Sequence, residues 1–157
     1  MDSIDNIDFQ YLRDTYGWSQ ASLYINGYRH QFYMTHIFSD PLEAICMATV
    51  SLAKDANQAS FSWIDELGQY DWQFTRNKKK RYLLDVTISG YSDSNHELGE
   101  ELTFLVQRDF WIDLVILEVE KVAKLLTYPH YKNNRYSHTF PWQELKQLRQ
   151  YKITKMK

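Results

Sequence analysis

The sequence predicts one α+β domain: an antiparallel sheet of about five to six strands, in the order β-β-α-β-β-β-β-α-α, with its helices packed on one face. Three observations lead there. Tyr70, Trp72 and Phe74 alternate with Gln69, Asp71, Gln73 and Thr75, the period-two pattern of a half-buried strand. Ser39-Asp40-Pro41-Leu42-Glu43 has the chemistry of a helix start: a capping Asp, a Pro suited to the first helical position and a Glu placed for a capping box. No Pro/Gly/Ser-rich linker or internal repeat divides the 157 residues, a length that supports one hydrophobic core.

Taken in order, Asp8 to Asp14 reads as a short helix with Phe9 and Leu12 inward, broken at Gly17. Trp18 to Ile25 and Tyr28 to Ile37 flank Asn26-Gly27, a pair that tolerates positive φ and marks a two-residue hairpin. On the second strand Tyr28, His30, Phe32, Met34 and His36 share a face. After Pro41 a helix places Leu42, Ile45, Cys46, Thr49, Val50 and Ala53 on one side and ends near 55–58. A meander follows. Ala59, Phe61 and Trp63 alternate with serines, Asp65-Glu66-Leu67-Gly68 turns, and the aromatic strand runs to Thr75. Beyond a charged turn at 77–80, Tyr82, Leu84, Val86 and Ile88 form the apolar face of another strand, and Leu102, Phe104 and Val106 that of a last one. Residues 89–100 read as an exposed loop. Phe110 to Leu126 is the longest helix, apolar around much of its circumference and therefore largely buried. A tyrosine-rich connection (128–139) leads to Pro141, which opens a final helix with Leu145 and Leu148 at helical spacing. The first few residues and Thr154 to Lys157 are too polar to be held down.

Composition excludes several classes. One cysteine, Cys46, rules out an intrachain disulfide and a thiol-based zinc site. It reads as a small buried hydrophobe. The acidic N-terminus has no secretory apolar core, and the apolar run 110–126 contains Asp113, Glu118, Glu120, Lys121 and Lys124, so it is no membrane span. A cytoplasmic location follows. Phosphate-loop, dinucleotide, nucleophile-elbow and zinc-protease motifs are absent, which predicts no cofactor and no catalysis. His30 and His36 lie roughly 20 Å apart on one strand, too far to share a metal ion. His130 and His138 have no signposted nucleophile beside them.

Charge is segregated along the chain. Residues 1–75 carry −7, 76–81 carry +5, 82–128 carry −6 and 129–157 carry +6. Either the fold presents an acidic and a basic surface, or it interleaves these segments. Asp71, Gln73, Asp85 and Thr87 point away from the core, giving a polar sheet face flanked by Asp65 and Glu66. The adjacent Asp65 and Glu66 suit an acidic binding rim better than a catalytic carboxylate pair. The basic turn 76–81 next to aromatic strands suggests nucleic acid, but those aromatics face the core and the domain is acidic, so nucleic acid is disfavoured. Tyr128, Tyr131 and Tyr136 either form a patch beside Trp142 or cover helix ends.

The stretch Trp63-Ile64-Asp65-Glu66-Leu67-Gly68-Gln69-Tyr70-Asp71-Trp72-Gln73-Phe74, the Asn-Gly hairpin, the Asp-Pro-Leu helix start and the Phe140-Pro141-Trp142 step together resemble small bacterial α+β protein families of the immunity-protein kind. The resemblance implies a domain that binds and neutralises a cognate bacterial toxin, with no residue roles attached. The expectation is a non-catalytic protein-binding domain with a basic protein partner, the toxin, and with Asp65, Glu66, Asp71, Gln73, Asp85, Tyr131 and Tyr136 as contact residues. The alternatives are a structural homo-oligomer such as a homodimer, with its interface on 110–126 or the last helix, and a small-ligand binder or enzyme with an aromatic pocket near His130.

Overall fold

The computed structural model describes residues 3–65, 68–92, 101–135 and 139–156. It is an α+β fold, but the strands form two antiparallel sheets rather than one. The first, in the order β1-β2-β3, consists of β1 (Ile7–Arg13), β2 (Trp18–Ile25) and β3 (Tyr28–Thr35). Helix α1 (Pro41–Ala53) leads to the second, in the order β4-β5-β6-β7: β4 (Gln58–Ile64), β5 (Gly68–Arg76), β6 (Leu83–Ser92) and β7 (Leu102–Gln107). Helices α2 (Arg108–Leu125), α3 (Pro129–Asn133) and α4 (Trp142–Met156) complete the described elements, and none of the helices is long and apolar enough to cross a membrane.

The segment expected to be a first helix is strand β1. Ile7, Phe9, Tyr11 and Arg13 are buried while Asp8, Gln10 and Leu12 are exposed, a strict two-residue period. Phe9 and Leu12, whose spacing suggested one helix face, lie on opposite faces of the strand. The Asn26-Gly27 turn forms as expected: φ is 51° and 87° at its two residues, the mirror-image turn that matches strand twist. Tyr28 and Ile25 are the last pair before it. The α1 cap also forms, with the Asp40 carboxylate accepting from the Leu42 N–H at 3.0 Å.

The inner faces of both sheets meet the helices in one aromatic-rich core. Phe9, Tyr11 and Phe32 from the first sheet pack against Trp63 of the second. Trp72 and Phe74 stack 6.0 Å apart, and Trp111 of α2 lies within 6 Å of Phe9, Trp72 and Phe74. Helix α1 packs on β4, α2 on β1 and β7, and α4 on α1 and α2. The α1 stripe from Leu42 to Val50 is buried, Cys46 included, and burial drives that thiol's pKa well above its ordinary value, so it stays protonated. Tyr82, expected on the apolar face of β6, precedes the strand and is exposed.

Two of the sheet edges, β1 and β7, are each met by a carboxylate. Glu118 of α2 accepts from the Tyr11 N–H on β1 at 2.8 Å. Asp5 exchanges backbone and side-chain bonds with Leu105 on β7 (2.9 and 2.7 Å) and accepts from Asn26 of the hairpin turn at 2.9 Å, so it joins the two sheets. Asp5 is thus held in place, contrary to what the polarity of its segment suggests. At the other end α4 runs to Met156, and Lys155 pairs with Asp109 at 2.6 Å.

Candidate functional site

The outward face of the four-stranded sheet is the polar surface that the alternation predicts. The register sets its residues in rows. Ser62, Asp71 and Ser89 form one; Ser60, Gln73, Thr87 and Thr103 the next; Gln58, Thr75, Asp85 and Leu105 the third. Leu105 is the apolar member and lies under Asp5. The carboxylates on this face are held by neutral donors. Ser62 Oγ and Gln69 Nε2 donate to Asp71 Oδ1 at 2.6 and 2.9 Å. Asn77 Nδ2 donates to Asp85 Oδ2 at 3.1 Å, and Ser89 Oγ to Glu101 Oε2 at 3.2 Å. None of the row residues is Lys or Arg, so the negative charge of the face is oriented but not cancelled. Two shallow depressions lie on it. One of about 440 Å³ is lined by Ser60, Ser62, Asp71, Gln73, Thr87 and Ser89. The other, of about 540 Å³, is lined by Asp5, Asp85, Thr87 and Thr103 among others.

Of the residues expected to make contact, Asp71, Gln73 and Asp85 come together here with Thr87. Asp65 opens the β4–β5 turn, its N–H donating to the Gly68 carbonyl at 3.0 Å. Its charge reaches Tyr70, a residue of the inner face. Tyr131 belongs to a separate cluster. It lies on α3 with the Arg135 guanidinium 3.9 Å from its ring centre, and Arg135 Nε donates to the Arg13 carbonyl at the end of β1. Trp142 packs instead on Phe140, ring centres 4.2 Å apart. Glu66 and Tyr136 lie outside the described residues. Glu101, Ser62 and Thr103 are members of the polar face that sequence reasoning did not single out. The signal for Ser62 was its alternation with Phe61 and Trp63; Glu101 precedes its strand and gave none.

The fold also gathers a buried polar cluster of five residues from four segments: β1, β2, the β3–α1 connection and the approach to α4. Asp40 Oδ2 accepts from Arg13 at 2.9 Å and from Thr139 Oγ1 at 3.0 Å. Arg13 donates in addition to the Thr139 carbonyl at 2.6 Å. His36 Nδ1 is 3.9 Å from Asp40 Oδ1, and His36 Nε2 is 2.6 Å from Ser19 Oγ. The order Ser-His-Asp suggests a nucleophile and its relay. Two facts argue for a structural role. Ser19 has 0% exposure, so no substrate reaches its oxygen in this conformation. Asp40 is bound to Arg13, Thr139 and the α1 N-terminus as well as facing the imidazole. Burial lowers the His36 pKa, Asp40 opposing the shift and Arg13 adding to it; the ring is therefore neutral at neutral pH. Burial, then Asp40, likewise keeps the Tyr11 phenol protonated far into the alkaline range. His36 and His30 meet no common site, and no group of three or more metal-ligating side chains occurs among the described residues.

Charge elsewhere is largely neutralised by interleaving. The basic residues of α4 run antiparallel to the acids of α2: Arg149 with Glu120 at 3.0 Å, Lys152 with Asp113 at 2.8 Å and Lys155 with Asp109 at 2.6 Å. Arg76, the first residue of the basic run, is buried, and with Arg108 it grips Asp55 (3.0 and 2.6 Å). The Arg108 hydrogen bond, with its charge and that of Arg76 behind it, holds the Asp55 carboxyl below its ordinary range. Lys78, Lys79 and Lys80 remain as exposed turn residues. The segregation along the chain therefore folds into one charge-paired helix face between α2 and α4, a polar sheet face bearing carboxylates, and an exposed basic turn at Lys78–Lys80 that follows Asn77, the donor to Asp85.

Comparison of the chain with protein-family models, with curated proteins and with solved structures gives no match.

Proposed function

We propose that this chain is a non-catalytic protein-binding domain that presents the outward face of its four-stranded sheet to a basic protein, in the manner of an immunity protein capturing a toxin. The observation that carries the reading is the set of carboxylates Asp71, Asp85 and Glu101, oriented by Ser62, Gln69, Asn77 and Ser89 without a cation among the row residues. Carboxylates fixed by neutral donors need little reorganisation on meeting Lys or Arg side chains, and an uncompensated field speeds encounter. The neutralised helix pair gives the opposite setting, which supports the sheet face as the contact surface. The test is capture from extracts of the source cell by the tagged chain and by the variant Asp71→Asn/Asp85→Asn/Glu101→Gln. A basic protein retained by the native chain at low salt, released at high salt and lost by the variant is the expected result. Equal retention by the variant overturns the assignment of the face.

A further inference from the structure

The outward face of the three-stranded sheet is a grid of three rows. The register sets Leu12, Gln20 and Tyr33 side by side, then Gln10, Ser22 and Gln31, then Asp8, Tyr24 and Arg29. Ser22 is the central residue, and every neighbour on that face is larger. The centre of the grid is therefore low, and a depression of about 400 Å³ opens over it. Gln10, Leu12, Gln20, Ser22 and Arg29 line it from the sheet, and Glu118 and Lys121 of α2 bound it at the edge strand β1.

Polar groups converge there. Arg29 Nε donates to Ser22 Oγ at 3.2 Å, which holds the guanidinium over β2 on the outward face. Its two terminal nitrogens have no protein partner among the described residues, so a forked donor pair is left for an oxyanion. On the other side Lys121 Nζ is held by Glu118 Oε1 at 2.7 Å, and the same oxygen accepts from the Tyr11 N–H at 2.8 Å. Glu118 is the one acid lining the depression among the described residues. The neighbouring Asp14 accepts from the Gln20 amide at 2.9 Å. Two cations, Arg29 and Lys121, against one acid leave the lining with a net positive charge.

We infer that this depression binds a small hydroxylated carboxylic acid of the sugar-acid class, its carboxylate between Arg29 and Lys121 and its hydroxyl groups on Gln10, Gln20 and Ser22. A monoanion complements the net charge of the lining. Amides and a hydroxyl both donate and accept, which suits a body carrying hydroxyl groups better than an apolar one. The volume is in the range of ordinary ligand sites. The inference goes beyond the proposed partner surface, which belongs to the other sheet, so either can fail while the other stands.

The test is titration of the full chain with glucuronate, followed by amide chemical shifts. Shifts concentrated on residues 10–12, 20–22, 29 and 118–121, saturating in the millimolar range usual for so small a ligand, are expected. Arg29→Gln and Lys121→Gln should each weaken binding about fivefold or more, the loss of a charge-assisted hydrogen bond. Both side chains are exposed, so these variants keep the native fold, which the amide spectrum checks. Ser22→Phe should fill the depression and remove the response. Glucose, which lacks the charge, and acetate, which lacks the hydroxyl groups, should each bind at least fivefold more weakly than glucuronate. Absent or scattered shifts, undiminished binding in either charge variant, or glucose or acetate binding as well as glucuronate would overturn the inference.

Discussion

The buried cluster around Asp40 and the outward face of the four-stranded sheet are built from the same residue types, Asp, Ser and Thr, yet they do opposite things with them. In the cluster, Asp40 faces Arg13, Thr139, His36 and the α1 N-terminus, and side-chain exposure of Arg13 and Asp40 is 1% each. On the sheet face, Asp71 and Asp85 are oriented by amide and hydroxyl donors and remain in contact with water. The first arrangement fixes β1, β2, the end of β3, α1 and the entrance to α4 relative to one another. The second leaves its electrostatic field outside the molecule. A catalytic-looking constellation can therefore be a structural joint, while a row of ordinary polar residues stays at the surface as the proposed contact face.

The sharpest way to break this contrast is Arg13→Met. It leaves the Asp40 carboxylate buried without its cation and should destabilise the fold by about 3–5 kcal/mol, read from urea unfolding. A loss below about 1 kcal/mol would mean that the cluster is wet or rearranged. Next in size is Trp63→Phe. The indole N–H donates to the Pro41 carbonyl at 2.9 Å in the core, so the change should cost about 1–3 kcal/mol by leaving that carbonyl unsatisfied. Trp72→Phe removes an indole N–H that has no partner among the described residues and should cost less than Trp63→Phe; the reverse order of midpoints would contradict the core arrangement.

The cluster also fixes a pH response. Because the His36 pKa is lowered in the folded state, folding releases protons from it. Stability is complete above the ordinary histidine value of 6.5 and falls as the pH drops below it toward the lowered folded value. Thermal midpoints should decline through that window in the native chain and decline less in His36→Gln; equal slopes would remove His36 as the source. The smallest effects belong to the surface. Lys152→Ala breaks an exposed pair and should cost no more than about 1 kcal/mol. Asp71→Asn/Asp85→Asn/Glu101→Gln should move the unfolding midpoint by no more than about 0.5 kcal/mol. A large loss there would make the sheet face a structural element too.

Local signals in the sequence were read correctly where the physics is local. Asn26-Gly27 tolerates the positive φ of its turn, Asp40 caps the helix that Pro41 begins, and alternation from Gln69 to Thr75 assigns the two faces of β5. The first strand carries a misleading helical signal, because Phe9 and Leu12 stand at helical spacing and the buried Arg13 hides the alternation behind a charge. The split into two sheets depends on which strands pair across α1, for which no short stretch of sequence carries a signal. The candidate face was visible from alternation alone. The meeting of Arg13, Ser19, His36, Asp40 and Thr139 was not, since positions up to 126 residues apart converge there only through the finished fold.

The bond between Asp5 and Leu105 has a kinetic consequence. It spans 100 residues, and closing so long a loop is entropically costly and late. During synthesis Asp5 emerges with its hairpin long before β7 exists, so the first sheet must wait for its tie to the second. Removing the Asp5 carboxylate, as in Asp5→Ala, should therefore leave the refolding rate nearly unchanged and speed unfolding, because a contact made after the rate-limiting step acts on the exit from the native state.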